Sequence, residues 1–180
     1  MLKQYFKSNQ LANLAAITTA LCCCVLLRLI PHPPNFTPVI AMGLFGVTTI
    51  KNKGLSFLLP ILVMVLSDWM IGFHNLVMYV YVAIIISSTV GLWLKSNITF
   101  KNIILASCLS SIIFFLITNG AVWINSSMYT KNLIGLTTCF INAIPFFHNS
   151  LLSTLLYSSA MFSYLNVFSK LNVVNSKHSK

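Results

Sequence analysis

Acidic residues are almost absent from this chain. Asp68 is the single carboxylate among 180 residues, and charged side chains of both signs make up 7% of the total. A soluble domain carries about 25%, so a water-exposed globular surface is excluded. Hydrophobic residues at 57% and a mean hydropathy of +0.87 indicate a polytopic membrane protein instead. Several chemistries are missing too. No G-x-x-x-x-G-K-[ST] loop occurs, so energy from ATP would need a partner chain. Neither H-E-x-x-H nor G-x-S-x-G is present, which removes the common zinc-protease and serine-hydrolase arrangements. No C-x-x-C pair occurs among Cys22, Cys23, Cys24, Cys108 and Cys139. All five read as small apolar packing residues. No small-residue cleavage site follows the apolar run at 11–27, which therefore reads as a span and not as a removable signal.

What is present is a series of apolar runs. Those at 11–30, 37–50, 55–72, 76–94, 103–124 and 151–168 are candidate membrane helices. The second has 14 residues, or about 21 Å at a rise of ~1.5 Å per residue, short of a ~30 Å hydrocarbon core. A seventh stretch, 132–147, is interrupted by Gly135, Thr137, Thr138, Asn142 and Pro145 and suggests a re-entrant or surface helix. The net charge of +10 is a topological signal. The lysines lie at span ends and tails, without the basic stripe that nucleic acid requires, so no nucleic-acid partner is expected. With six spans and the N-terminus inside, nine of the eleven Lys and Arg residues are cytoplasmic, and only Arg28 and Lys131 are outside. A five-span arrangement with the N-terminus outside scores nearly as well by the same rule. The expectation is an all-α membrane protein with six spans, a short second span and both termini cytoplasmic. Residues 1–170 form one domain, and the polar tail 171–180 is expected to be disordered.

In this arrangement the polar residues gather on the outer side. A carboxylate at membrane depth costs roughly 2.5–3.5 kcal/mol on insertion scales, so Asp68 is a functional candidate by default. An interhelix hydrogen bond or a helix-end contact would also account for it. Trp69 follows directly. The segment 31–38, Pro-His-Pro-Pro-Asn-Phe-Thr-Pro, is stiff and extended. It reads either as a rigid turn or as a lid over an outer pocket, with His32 and Asn35 on it. Phe-His-Asn occurs twice, at 73–75 and 147–149. Asn75 and Asn149 suit either helix caps or ligand contacts, and His74 and His148 suit stacking on a planar ligand or metal binding. Asn119 and Trp123 are four residues apart and share a helix face, where an amide and an indole together suit a flat heterocycle. Asp68, His74, Asn119, Trp123 and His148 are expected to converge on one cavity, on the order of a few hundred Å³. If a metal is involved, His32, His74 and His148 are the candidate ligands; no other cofactor is expected. On the first helix, Ala12, Ala16 and Ala20 recur every four residues, a spacing that allows close helix approach.

The motifs Pro33–Pro38, Leu66-Ser67-Asp68-Trp69, Gly72-Phe73-His74-Asn75, Phe115–Trp123 and Ile144–Asn149 resemble the landmarks of a family of bacterial integral membrane proteins. That family is regarded as candidate transporters and is grouped with the substrate-binding S components of energy-coupling-factor transporters. The resemblance implies a compact six-helix bundle with a micronutrient pocket near the outer face. It also implies that the loop after the first helix helps close the pocket. The Ala-x-x-x-Ala face at Ala12, Ala16 and Ala20 would then meet an energy-coupling transmembrane subunit with its ATPases. The implied function is uptake of a vitamin, a vitamin precursor or a metal-containing solute across the bacterial inner membrane. A structural subunit of a membrane complex and a small membrane enzyme are the other classes open.

Overall fold

The computed structural model describes residues 10–178, with side-chain surroundings for 18–166. Among these residues the protein is all-helical. The helices are α1 (Gln10–Leu29), α2 (Val39–Thr49), α3 (Lys53–Ile71), α4 (Val77–Ser88), α5 (Val90–Leu94), α6 (Phe100–Asn125), α7 (Leu133–Asn142) and α8 (Ile144–His178). α4 and α5 make one 18-residue stretch, Val77–Leu94. It tightens at Thr89, whose N–H donates to Ile86 three residues back.

Hydrogen bonds between distant segments fix the direction of each helix. Arg28 at the end of α1 meets Asp68 at the end of α3. Tyr79 at the start of α4 donates to Asn125 at the end of α6. Asn149 in the second turn of α8 donates to Pro34 in the loop after α1. These contacts share one end of the bundle, here the proline-loop end. At the opposite end Lys95 Nζ reaches the carbonyl of Ile50, beside Lys51, Lys53 and Lys101. The chain therefore runs up and down between two ends of different chemistry.

The short second run has a structural explanation. α2 is 11 residues long, and all but Phe45 are buried. At about 16 Å it is too short to cross a bilayer core alone. It is enclosed by α3, α4, α5, α6 and α8, so protein and not lipid satisfies its surface. A glycine on its neighbour α5 permits this. A Cβ on Gly91 would lie 2.8 Å from the Leu44 carbonyl and 2.9 Å from Val47 Cβ, so α5 can approach α2 only without a side chain there. Small buried hydroxyls serve the same purpose at other contacts. Ser87, Ser107, Ser110, Ser153 and Thr154 are buried, and Ser110 Oγ donates across to the Ser87 carbonyl. Small residues let backbones approach where no water drives helices together.

The apolar exterior carries Leu58, Trp69, Met78, Leu92, Leu105, Leu116 and Leu152, all exposed. Such a belt suits lipid contact rather than water. Among the described residues three helices are long and apolar enough to cross a membrane: Lys53–Ile71, Val77–Leu94 and Phe100–Asn125. A fourth crossing is counted if α7 and α8, bent by 47° at Ala143, act as one span. The bend follows from Pro145, which has no N–H to continue the ladder and clashes with the carbonyl four residues back. The sequence expects a separate helix at 132–147 and a last span starting at 151. In the structure α7 stops at Asn142 and α8 has already begun at Ile144. The helix also continues to His178, through most of the segment expected to be a disordered tail. No Gly or Pro lies beyond Pro145 to interrupt it.

Candidate functional site

The last turn of α3 ends at Gly72, whose φ of 109° closes the helix as L side chains rarely can. Just before it, Asp68 is 2% exposed. Its Oδ1 accepts from Arg28 Nη2 at 2.8 Å, and its Oδ2 accepts from the Tyr81 hydroxyl at 2.9 Å. Arg28 Nη1 also donates to Ser67 Oγ at 2.7 Å and lies 2.8 Å from Met64 Sδ. The only carboxylate of the chain is thus paired with its only arginine. Neither faces lipid, and each is satisfied by the other, as buried charges require.

Above this pair the proline loop folds back. The Phe36 N–H donates to the Pro33 carbonyl, with Pro34 and Asn35 between and Asn35 at φ 63°. This is a type II turn, with proline at its second position and asparagine at the third, where φ must be positive. Two contacts tie the loop to α8: Asn149 Nδ2 donates to the Pro34 carbonyl at 2.9 Å, and the Phe36 and Tyr157 rings meet edge-on.

Under the loop is a cavity of about 210 Å³. Arg28, His32, Asn35, Thr37, His74 and Thr118 give it polar groups, and Ile40, Met64, Val80, Ile84 and Phe114 give it apolar walls. A few polar groups on an apolar wall is the common pattern of a small-molecule site. Both histidines are oriented by backbone. His32 Nδ1 lies 2.9 Å from the Pro33 carbonyl. A carbonyl can only accept, so that nitrogen carries the proton. His74 Nδ1 accepts from the Leu76 N–H at 3.2 Å, so its proton lies on Nε2. As neutral imidazoles the two rings would be opposite tautomers.

The structure divides the residues expected at one pocket. His32, Asn35 and His74 line the cavity, while Asp68 lies behind Arg28 and does not. Asn119 and Trp123 share a face of α6 as expected, but that face meets α7 and its preceding loop. Asn119 Nδ2 donates to the Phe115 carbonyl and its own carbonyl lies 3.6 Å from Cys139 Sγ. Trp123 Nε1 donates to the Thr130 carbonyl at 3.0 Å, and Lys131 lies over the indole while donating to the Trp123 and Ser126 carbonyls. The face of α6 on the cavity is one position earlier, at Phe114 and Thr118. His148 is exposed, as are Trp69 and Asn75. Neither asparagine of the repeated Phe-His-Asn caps a helix: the N-cap of α4 is Leu76, with no side-chain cap, and Asn149 lies inside α8. Ala20 is half-buried and packs on the protein's own core; the side chains of Ala12 and Ala16 lie outside the described residues. Among the described residues no three His, Cys or Asp side chains gather as a metal site, so His32, His74 and His148 do not form one together.

Arg28, Tyr81, Phe114 and Thr118 are the residues that sequence reasoning misses. Arg28 carried a signal, since a lone arginine and a lone carboxylate near membrane depth are natural partners. Tyr81 and Thr118 carried none. The chain belongs to a family of unknown function (DUF6580), whose model matches residues 8–175. No curated protein and no solved structure matches it.

Proposed function

We propose that this protein is a membrane transport protein that binds a small micronutrient in the cavity beneath the proline loop, for uptake in the manner of an S component. The observation that carries this reading is the cavity itself. It has polar groups from three separate segments of chain, an apolar wall and a stiff roof, at the end of the bundle away from Lys51, Lys53, Lys95 and Lys101. The positive-inside rule makes the lysine end cytoplasmic and the proline-loop end external. In this reading all six runs cross or lie within the membrane region of the bacterial inner membrane. α2 fills the centre, and both termini are cytoplasmic. The chain has no nucleotide motif, so uptake would draw on partner subunits with ATPases, docked on α1. In this reading the protein is not an enzyme, and its one carboxylate, engaged on both oxygens, serves to hold Arg28.

Metabolite profiling of protein purified in mild detergent tests the proposal. One recurring solute, retained in proportion to protein, is the expected result. Co-purification with a fixed partner and no solute would favour a structural subunit instead.

A further inference from the structure

The cavity's chemistry points to the class of its occupant, and the inference rests on the solute-binding reading above. Of the buried ion pair, only the cation faces the cavity. Asp68 has both oxygens engaged and is turned away, whereas Arg28 lines the space. Arg28 donates through Nη1 to Ser67 and Met64 and through Nη2 to Asp68. A guanidinium has five N–H groups, so the Nε–H and the second Nη2–H remain for a ligand. No other acidic residue exists in the chain. A cationic solute would meet Arg28 with no carboxylate to offset it, whereas an anionic one would complete a charge-assisted contact.

The two histidines add a second requirement. With Nδ1 protonated, His32 offers Nε2 as an acceptor. With Nδ1 accepting from Leu76, His74 offers Nε2–H as a donor. Their free nitrogens are therefore complementary, and suit a ring or amide edge that both donates and accepts. Size narrows the choice further. An apolar cavity of ~150 Å³ holds benzene, and drug-sized ligands occupy roughly 300–1,000 Å³. At about 210 Å³ this site takes a single substituted ring.

We infer that the cavity selects a small monocyclic carboxylate whose ring carries both a hydrogen-bond donor and an acceptor. Arg28 takes the carboxylate, His32 and His74 take the ring edge, and Phe114 with the aliphatic walls covers the ring.

Three probes of similar size test this: imidazole-4-carboxylate, imidazole-4-carboxamide and 4-(aminomethyl)imidazole, whose substituents are anionic, neutral and cationic. Each is titrated at up to millimolar concentration against the purified full chain, with thermal unfolding as the readout. Thr118→Phe serves as the filled-cavity control. The Thr118 hydroxyl donates only within its own helix, so the substitution strips no other element of a partner. The expected result is stabilisation by the carboxylate at about tenfold lower concentration than by the carboxamide, the scale of one charge-assisted hydrogen bond. The amine should have no effect, and the carboxylate effect should vanish in Thr118→Phe. Equal or stronger stabilisation by the amide or the amine, lost in Thr118→Phe, overturns the anion assignment and leaves the binding cavity standing. No stabilisation by any probe, or an effect that survives in Thr118→Phe, overturns the cavity reading and this inference with it.

Discussion

Asp68→Asn would leave the Arg28 guanidinium buried without its counter-charge. Breaking such a pair from one side costs about 3–5 kcal/mol. The structure therefore gives Asp68 a stabilising role first, by holding Arg28 toward the cavity. Asp68→Asn should lower the unfolding midpoint in detergent sharply, and Arg28→Gln with Asp68→Asn should recover part of the loss. Tyr81→Phe removes one hydrogen bond to a charged group and should cost about 1–3 kcal/mol. If Asp68→Asn unfolds at the parental midpoint, the pair does not hold the two helices. At this scale the sequence singles out Asp68, but neither its partners nor its place behind Arg28, outside the cavity. Arg28 lies 40 residues away and Tyr81 13 residues on, and nothing local connects them. Asn119 and Trp123 show the complementary failure. Their spacing gives a common face, but not the direction of that face. The cavity lies beside Phe114 and Thr118, one residue or ~100° around the helix.

The helices themselves were legible because long apolar runs with polar breaks allow little else in a membrane. What could not be read is where each packs. The short second run is central because glycine and serine at its neighbours let them close around it, and this is visible only in three dimensions. Gly91→Ala should destabilise the protein by about 1–3 kcal/mol, the usual cost of overpacking, since the new methyl would meet Leu44 and Val47. Gly120→Ala has open space around it and should be neutral or stabilising by up to about 1 kcal/mol. Paired thermal denaturation of the two variants checks the difference, and equal midpoints would count against the enclosed α2. Asn149→Ala removes one of the two contacts that tie the proline loop to α8, leaving the Phe36–Tyr157 contact and the cavity wall in place. It should raise amide exchange at residues 33–37 while leaving the core of α3 and α6 protected.

At the scale of the whole molecule, the two ends of the bundle differ in chemistry, and the orientation proposed above rests on the distribution of lysines between them. A reporter fused to the N-terminus should be active only in the cytoplasm. Activity on the other side would put the proline loop and its cavity inside, and uptake from outside could not begin there. In the proposed function the cavity under the proline loop holds a small solute. Native mass spectrometry of protein released from mild detergent tests it most directly, comparing the parent chain with Thr118→Trp. The expected result is an added small mass on the parent chain that is absent from the variant, with both chains folded and equally helical by circular dichroism. The same added mass on both chains would place the solute elsewhere and contradict the site.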